Sequence, residues 1–155
     1  MILQHRVKAK HNHPEIQVIK EYSKLPLVEC YAGQLNQVFM NVLSNALDAL
    51  EERDLRRSAE EMRQNPSTIS IKTEMLEGDR VLIRIADNGV GIPETVGTQL
   101  FNPFFTTKPV GKGTGMGLSI SYQIVTDRHK GSLKCTSSPG QGAEFAIEIP
   151  IKTNC

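Results

Sequence analysis

Hydrophobic and polar positions along the chain follow two different periods, one typical of helices and one typical of strands. Apolar residues recur at helical spacing between residues 35 and 50 and again between residues 116 and 125, which predicts two amphipathic helices. Apolar and polar residues alternate in four short runs, which predicts strands with one buried face at 69–75, 81–85, 133–135 and 145–149. Two further apolar runs predict short strands near the start of the sequence, at 16–19 and 27–30.

The order of these elements predicts a two-layer α/β sandwich of the α+β kind. Two strands precede the first helix, a hairpin follows it, and the second helix leads into two final strands. Every strand is half polar, so we expect helices to cover one face of the sheet only, because strands covered on both faces read as continuous apolar runs. Residues 94–114 contain prolines, glycines and threonines without a sustained period, which is typical of a lid or a disordered connection.

Composition and charge narrow the range of functions. A chain of 155 residues fits one domain with a single core. Its 18 basic and 17 acidic residues give a net charge of +1, and no cluster of Lys or Arg interleaves with aromatic residues, which weighs against nucleic acid as a partner. No apolar run approaches the ~18–20 residues of a membrane span, so we expect a cytoplasmic domain without membrane contact. The three separated cysteines, Cys30, Cys135 and Cys155, are expected to be free thiols.

Two asparagines stand out on the first predicted helix. Asn41 and Asn45 are four residues apart, so they share one face of the helix, off the apolar stripe and close to Asp48. Asn is a poor helix former, so a pair in mid-helix calls for an explanation. Amide oxygens suit a Mg²⁺ ion that is held jointly with phosphates, whereas the alternative is a pair of polar residues on a solvated face. This motif alone leaves both interpretations open.

An acidic residue at the end of a predicted strand opens a glycine-containing segment. Asp87 is followed by Asn88-Gly89-Val90-Gly91-Ile92-Pro93, and an ordinary Asp/Asn-Gly turn is one interpretation. The second glycine and the proline favour another, in which the backbone is held close to a flat ligand. A carboxylate at the end of a rigid strand would then accept a hydrogen bond from an adenine amino group.

Glycines occupy every second position from Gly111 to Gly117 and run directly into the second predicted helix at Leu118. Glycines that open a helix form an anion site from unpaired backbone N–H groups, so this run predicts phosphate binding. Its spacing differs from that of a Walker A motif. Lys108 and Lys112 lie in or beside the predicted lid and are candidates for neutralising phosphate charge, although solvent-facing lysines are the default.

Taken in order, these motifs resemble those of sensor histidine kinases. Residues 41–45 resemble the N box, 87–91 the G1 box, 101–104 the F box and 111–117 the G2 box, and residues 140–145 are similar to the G3 box. The resemblance implies the GHKL-type ATPase fold, with a mixed, mostly antiparallel sheet and about three helices on one face. It also implies ATP and Mg²⁺ as cofactors, held between helices under a mobile lid.

The same resemblance implies a role for individual residues. Asn41 and Asn45 would bind Mg²⁺ and phosphates and serve as the catalytic pair, Asp87 would bind the adenine amino group, and Phe101 with Phe104 would anchor the lid. The complete set of residues expected to contact the nucleotide is Asn41, Asn45, Asp48, Asp87, Gly89, Gly91, Ile92, Phe104, Thr106, Lys108, Lys112, Gly113, Thr114, Gly115, Met116, Gly117 and Leu118.

Two positions depart from the family pattern. Many members have a small hydroxyl residue where Ala143 stands, which puts a water-mediated adenine contact there in doubt. Some histidine kinases carry a phosphate-binding lysine near the position of Asp48, and here Lys108 or Lys112 would have to replace it.

The residue at position 41 distinguishes a kinase from a hydrolase within this superfamily. Hydrolases and serine kinases of the same fold have a glutamate four residues before the Mg²⁺-binding asparagine, where it acts as general base. Asn41 cannot take a proton, whereas a histidine acceptor needs no base because neutral imidazole is already nucleophilic. We therefore expect a histidine kinase; the alternatives are a GHKL ATPase or serine kinase, or a nucleotide-binding module without transfer.

The phosphoacceptor histidine is expected on a different domain. His5 lacks the acidic neighbour of a phosphoacceptor box, and His129 is expected to cap a helix end as a cation. We therefore expect residues 1–13 to be the stub of a helix from a missing dimerisation domain and residues 14–155 to be the ATP-binding catalytic domain. Its partners would be its own dimerisation domain and, downstream, a response regulator, in a full-length protein whose membrane anchoring is left open.

Overall fold

The computed structural model describes residues 15–25, 28–92, 101, 117–138 and 140–151. Within them the chain forms a five-stranded sheet and three helices, in the order β1 Gln17–Tyr22, α1 Ala32–Asp54, α2 Ala59–Gln64, β2 Thr68–Leu76, β3 Arg80–Asp87, α3 Gly117–Gln123, β4 Ser132–Ser138 and β5 Gly142–Pro150. A π-helical turn, Ile124–Arg128, continues α3.

The sheet is mixed and mostly antiparallel, as the sequence predicts. Its strand order is β1-β2-β3-β5-β4, and β1 alone is parallel to its neighbour. The expected hairpin is present as β2 and β3, and its turn has left-handed backbone at Gly78, with φ 81°, and at Asp79, with φ 56°. The predicted two-layer architecture is therefore confirmed.

One predicted strand is wrong. Residues 28–30 lie outside any strand, and Glu29 N donates to the carbonyl of Ile151 at 2.8 Å, just beyond the end of β5. The physical reason is that β5, the strand whose end this segment contacts, already has a partner on each side, β3 and β4, so the segment cannot pair with it as a further strand.

The core lies between α1 and the covered face of the sheet. The predicted apolar stripe of α1 faces the core. Phe39 is half-buried, and the other seven members are at most 9% exposed: Leu35, Val38, Val42, Leu43, Ala46, Leu47 and Leu50. The stripe packs on alternate residues of β2, β3 and β5, which are equally buried: Ile69, Val81, Ile85, Phe145, Ile147 and Ile149. Helix α1 also contacts α3, and these two helices bring the polar residues of interest together.

A buried ion pair fixes the end of α1. Asp54 is only 3% exposed, and its Oδ1 accepts from Arg57 Nη2 at 2.7 Å and from Ser67 Oγ at 3.1 Å. Arg57 Nη1 also donates to the carbonyl of Asn65 at 2.6 Å. The pair thus ties the end of α1 to the segment that leads into β2.

Among the helices in the described part of the chain, none combines the length and the apolar composition that a membrane span requires.

We predict that Asp54→Ala lowers the free energy of unfolding by about 3–5 kcal/mol, because it leaves the Arg57 guanidinium buried without its counter-charge. The matched control is Glu52→Ala, which removes the partner of Arg56 from an ion pair whose side chains are 71% and 54% exposed. It should change the same quantity by less than about 0.5 kcal/mol. Urea unfolding measures both free energies. Equal effects of the two substitutions would contradict a stabilising role for the buried Asp54–Arg57 pair.

Candidate functional site

The middle of α1 carries the two asparagines that the sequence singles out. Asn41 Nδ2 donates to the carbonyl of Gly117 and to Oγ of Ser121, each at 3.0 Å. Asn45 Nδ2 donates to the carbonyl of Asn41 at 2.8 Å. Each amide therefore donates through Nδ2 within the protein, and Oδ1 is the acceptor atom of each of these half-buried side chains.

These amide oxygens fit a hard divalent cation, which takes oxygen ligands. Within the described residues, no three His, Cys, Asp or Glu side chains come together as a metal cluster. A Mg²⁺ ion beside Asn41 and Asn45 would therefore take its remaining ligands from phosphate oxygens and water, as Mg²⁺ commonly does. Asp48 is half-buried and lies about one turn further along the same helix.

Helix α3 begins where the glycine-rich run ends. A Cβ atom on Gly117 would lie 3.6 Å from Cγ of Asn41, so the start of α3 is in van der Waals contact with the asparagine. Ser121 is fully buried, and its Oγ also donates to the carbonyl of Gly117 at 2.8 Å. The first turn of α3 is therefore fixed against α1 by a small network of polar groups.

A carboxylate lies on the covered face of the sheet at Asp87, the last residue of β3, which pairs with Ala143 of β5. Its Oδ1 accepts from the backbone N–H of Gly89 at 2.8 Å, and the backbone N–H of Ala143 also donates to it. Burial raises the pKa of Asp87 to about 6, although the two backbone hydrogen bonds oppose the rise. An amino group that donates to this carboxylate would offset part of the cost of burying the charge.

Three hydrogen bonds hold Asn88, the first residue after Asp87. Asn88 Oδ1 accepts from the backbone N–H of Thr68 at 2.8 Å, and its Nδ2 donates to the carbonyl of Pro66 at 3.0 Å. Arg53 Nη1 donates to the carbonyl of Asn88. These hydrogen bonds therefore fix the turn to the start of β2 and to the end of α1.

Gly89 allows the backbone to approach α1 closely. A Cβ atom at Gly89 would lie 2.9 Å from the carbonyl carbon, the carbonyl oxygen and Cβ of Ala49. Ala49 follows Asn45 by four residues, as Asn45 follows Asn41, so the three share one face of α1. The asparagine pair and the Asp87 turn consequently lie along one helix face, about 5–6 Å apart per step.

The described residues bring nine of the expected nucleotide contacts into two groups. One group lies on α1 and at the start of α3 and contains Asn41, Asn45, Asp48, Gly117 and Leu118; the other lies at and just after the end of β3 and contains Asp87, Gly89, Gly91 and Ile92. Gly91 has φ 77°, which explains the glycine there. The remaining expected contacts lie outside the described residues: Phe104, Thr106, Lys108, Lys112, Gly113, Thr114, Gly115 and Met116.

One aromatic residue of the expected lid anchor is described. Phe101 stacks on Tyr122 of α3, with ring centroids 5.2 Å apart and an interplanar angle of 26°. This contact connects the segment before the glycine-rich run to the helix after it. Phe104, its expected companion, lies outside the described residues.

His129 lies at the end of the π-helical turn, as expected, but it does not act there as a cation. The ring is fully buried, its Nε2 accepts from the backbone N–H of Tyr31 at 3.0 Å, and its Nδ1 lies 3.0 Å from the carbonyl of Ile124. Because Nε2 accepts, it carries no proton, and Nδ1 is the donor of a neutral ring. His129 thus joins the start of α1 to the end of α3, at the opposite end of α1 from Arg53.

The two cysteines in the described residues are free, as expected. Burial raises the pKa of Cys135 to about 11, and the negative charge of Asp87 adds to the rise. The thiol is therefore uncharged beside the carboxylate and is a poor nucleophile. Cys155 lies outside the described residues.

The sequence interpretation missed Ser121, which holds the start of α3 against Asn41. The available signal was its position four residues after Gly117, on a face otherwise filled by apolar residues. Its donation back to the carbonyl of Gly117 is a local interaction, but its bond to Asn41 spans 80 residues and depends on how the helices pack.

Comparison with known families matches residues 31–153 to a family described as histidine kinase-, DNA gyrase B- and HSP90-like ATPases. Sporulation kinase E of Bacillus subtilis (strain 168) is 34% identical over 130 residues, which cover 84% of this chain and 15% of that protein. The chain therefore spans a small part of the length of this curated relative.

Two solved structures are similar in both fold and sequence. The nucleotide-free catalytic domain of histidine kinase ThkA has a TM-score of 0.70 and 31% sequence identity, covering 89% of this chain and 80% of that one. Histidine kinase ThkA in complex with response regulator protein TrrA has a TM-score of 0.63 and 28% identity, covering 87% of this chain and 34% of that one.

We predict that Gly89→Ala lowers the free energy of unfolding by about 1–3 kcal/mol, because the added methyl group would overlap the backbone of Ala49 and push the Asp87 turn away from α1. Gly33→Ala is the matched control, since Gly33 lies in α1 with no described atom within 4 Å of an added Cβ. It should leave stability unchanged or raise it by up to about 1 kcal/mol. Thermal unfolding compares the two variants. If both substitutions lowered the free energy of unfolding by similar amounts, the close approach of Gly89 to Ala49 would be refuted.

Proposed function

Since the chain belongs to the histidine kinase-, DNA gyrase B- and HSP90-like ATPase family, we propose that it works as the catalytic domain of a sensor histidine kinase. It is an ATP-binding domain of the histidine kinase type. The proposed reaction moves the γ-phosphoryl group of ATP to a histidine on a separate dimerisation domain. The new P–N bond forms as the bond to the β-phosphate oxygen breaks, and ADP leaves.

The observation that carries this proposal is an amide at position 41. Asn41 Nδ2 donates to Gly117 and Ser121, so the side chain acts as a donor to the protein and has no basic group to accept a proton from water or a hydroxyl. A histidine acceptor needs no such base, because neutral imidazole already has a lone pair on nitrogen. The arrangement favours transfer to histidine over hydrolysis or transfer to serine.

Phosphoryl transfer requires mainly alignment and charge neutralisation. Mg²⁺ would supply the neutralisation when it is bound, and Asn41 and Asn45 are the residues proposed to hold it. Asp87 is proposed to orient the base by accepting from its amino group. Gly113, Gly115 and Gly117 are proposed to contact the phosphates, with Lys108 or Lys112 adding positive charge.

The whole protein's partners are also proposals. We propose residues 14–155 as the catalytic domain, 1–13 as the end of a linking helix, and a dimerisation domain elsewhere in the protein as the acceptor. A response regulator would receive the phosphoryl group next, and the assembly of ThkA with one supports that step. A cytoplasmic location would give the domain access to ATP and to such a regulator.

A nucleotide-binding module without transfer is the second candidate. It would keep the Asp87 site but would need neither the cation nor the two asparagines. Its signature is ATP affinity that is independent of Mg²⁺ and unaffected by Asn45→Ala.

We predict that this chain, mixed with Mg-ATP and its cognate phosphoacceptor fragment, yields phosphate that is acid-labile. Asn45→Ala should slow the transfer by roughly 100-fold, because one of the two amide oxygens beside the phosphates is lost. The matched control is Asn36→Ala, which removes an exposed asparagine from the same helix and should leave the rate unchanged.

Acid-stable phosphoserine, or steady hydrolysis of ATP without an acceptor, would contradict transfer to histidine. Equal rates for Asn45→Ala and Asn36→Ala would contradict the role proposed for the asparagine pair.

A further inference from the structure

The hairpin of β4 and β5 touches the segment after Asp87 at two hydrogen-bonded points, one from the end of β4 and one from the turn. Gly140 N donates to the carbonyl of Val90 at 2.7 Å. The backbone N–H of Ile92 donates to Oγ of Ser137 at 2.6 Å, and that hydroxyl donates to the carbonyl of Gly142 at 3.0 Å. Ser137 is thus the side chain through which the two segments are joined.

The strand register shows how Ser137 relates to the carboxylate. Ser137 pairs with Ala143, and Ala143 pairs with Asp87, so the three form one row across β4, β5 and β3. Gly142 packs on the carbonyl of Asp87 so closely that a Cβ atom would collide with it, and its φ of 93° also requires glycine. The hydroxyl of Ser137 therefore holds the strand end that supplies the Ala143 N–H to Asp87.

We propose that Ser137 is a positioning residue that sets the selectivity of this site for a 6-aminopurine over a 6-oxopurine. This inference rests on the proposed function, since it assumes that Asp87 accepts from the base. Ser137 acts through two connections and does not touch the base itself. It fixes Ile92, and with it the segment that includes Gly89, and it fixes Gly142, next to Ala143.

Both of the N–H groups that hold the Asp87 carboxylate lie on segments that Ser137 joins. Gly89 donates from the segment after β3, and Ala143 donates from the start of β5. When the hydroxyl is absent, Ile92 loses an acceptor and Gly142 loses a donor, so the two segments can separate. The carboxylate then loses the fixed direction that distinguishes a donating amino group from an oxo group, whereas the asparagine pair on α1 is untouched.

The substitution Ser137→Ala tests this role through the ratio of two dissociation constants, for ITP and for ATP, measured with Mg²⁺ at pH 7.5. The two nucleotides share the ribose and the triphosphate and differ only in the base, at the 6-amino or 6-oxo group and at the proton that hypoxanthine carries on N1, so the ratio isolates base recognition. Removing a hydroxyl that leaves its former partners without a hydrogen bond raises a dissociation constant by roughly tenfold. We expect Ser137→Ala to weaken ATP binding by about that factor and ITP binding by less than about twofold.

Two further variants separate positioning from folding. Ser137→Thr keeps the hydroxyl and should restore most of the ratio, because strands accept threonine well. Thr136→Ala removes a hydroxyl from the exposed neighbour on the opposite face of β4 and should leave the ratio unchanged.

A Ser137→Ala variant that weakens ATP and ITP equally, or changes only the melting temperature, would overturn the inference. Failure of Ser137→Thr to restore the ratio would do the same. If the unsubstituted chain binds ATP no better than ITP, the adenine site of the proposed function fails as well, and that outcome is distinguishable because it appears before any substitution is made.

Discussion

A carboxylate confined to the covered face of a sheet, at Asp87, is the constraint on which the rest of the site depends. Its burial raises its pKa to about 6, so the fold carries a group that is costly to ionise. Two backbone N–H groups offset part of that cost, and each requires a glycine nearby: Gly89 at the close approach to α1, and Gly142 where β5 begins. Gly89 and Gly142 therefore help to hold the Asp87 carboxylate in place, apart from any contact that they make with a ligand.

Helix α1 sets the spacing between the two halves of the site. Asn41, Asn45 and Ala49 recur at intervals of four residues, so the asparagine pair and the contact with Gly89 lie on one face of a rigid rod. The helix is fixed at both ends, by His129 near Tyr31 and by Arg53 at the Asp87 turn. Such a rod would hold the proposed base-binding end and the proposed cation-binding end at a constant separation, as positioning of the γ-phosphoryl group requires.

The features that could be predicted from sequence are those determined over a few residues. The stripe of α1, the β2–β3 hairpin and the placement of Asp87 at a strand end follow from local periodicity and turn chemistry. The strand predicted at 27–30 was wrong because local sequence cannot show which strands already have a neighbour on each side. That is decided by the topology of the whole sheet. His129 was misjudged for the same kind of reason, since its burial depends on a residue 98 positions away.

The residues that were missed at the site act over long separations as well. Ser121 reaches Asn41 across 80 residues and Ser137 reaches Ile92 across 45, so neither contact leaves a pattern in the local sequence. Ser121 lies between Ile120 and Tyr122, and Ser137 lies between Thr136 and Ser138, so nothing beside either residue marks it as a contact residue. Only the packing of α1 on α3, and of β4 on β5, distinguishes them.

Base recognition by an ionised Asp87 is the central claim, and the ratio of ITP to ATP dissociation constants as a function of pH tests it most directly. The ionised carboxylate accepts from an amino group and repels an oxo group, and phosphate titration is common to both nucleotides. Because the pKa of Asp87 is raised to about 6, the preference is present above that pH and is lost as pH falls through it. From pH 7.5 to pH 5 the ratio should fall by roughly tenfold, since only about one carboxylate in ten stays ionised at pH 5. A ratio that is constant over this range, or that rises as pH falls, would contradict the account.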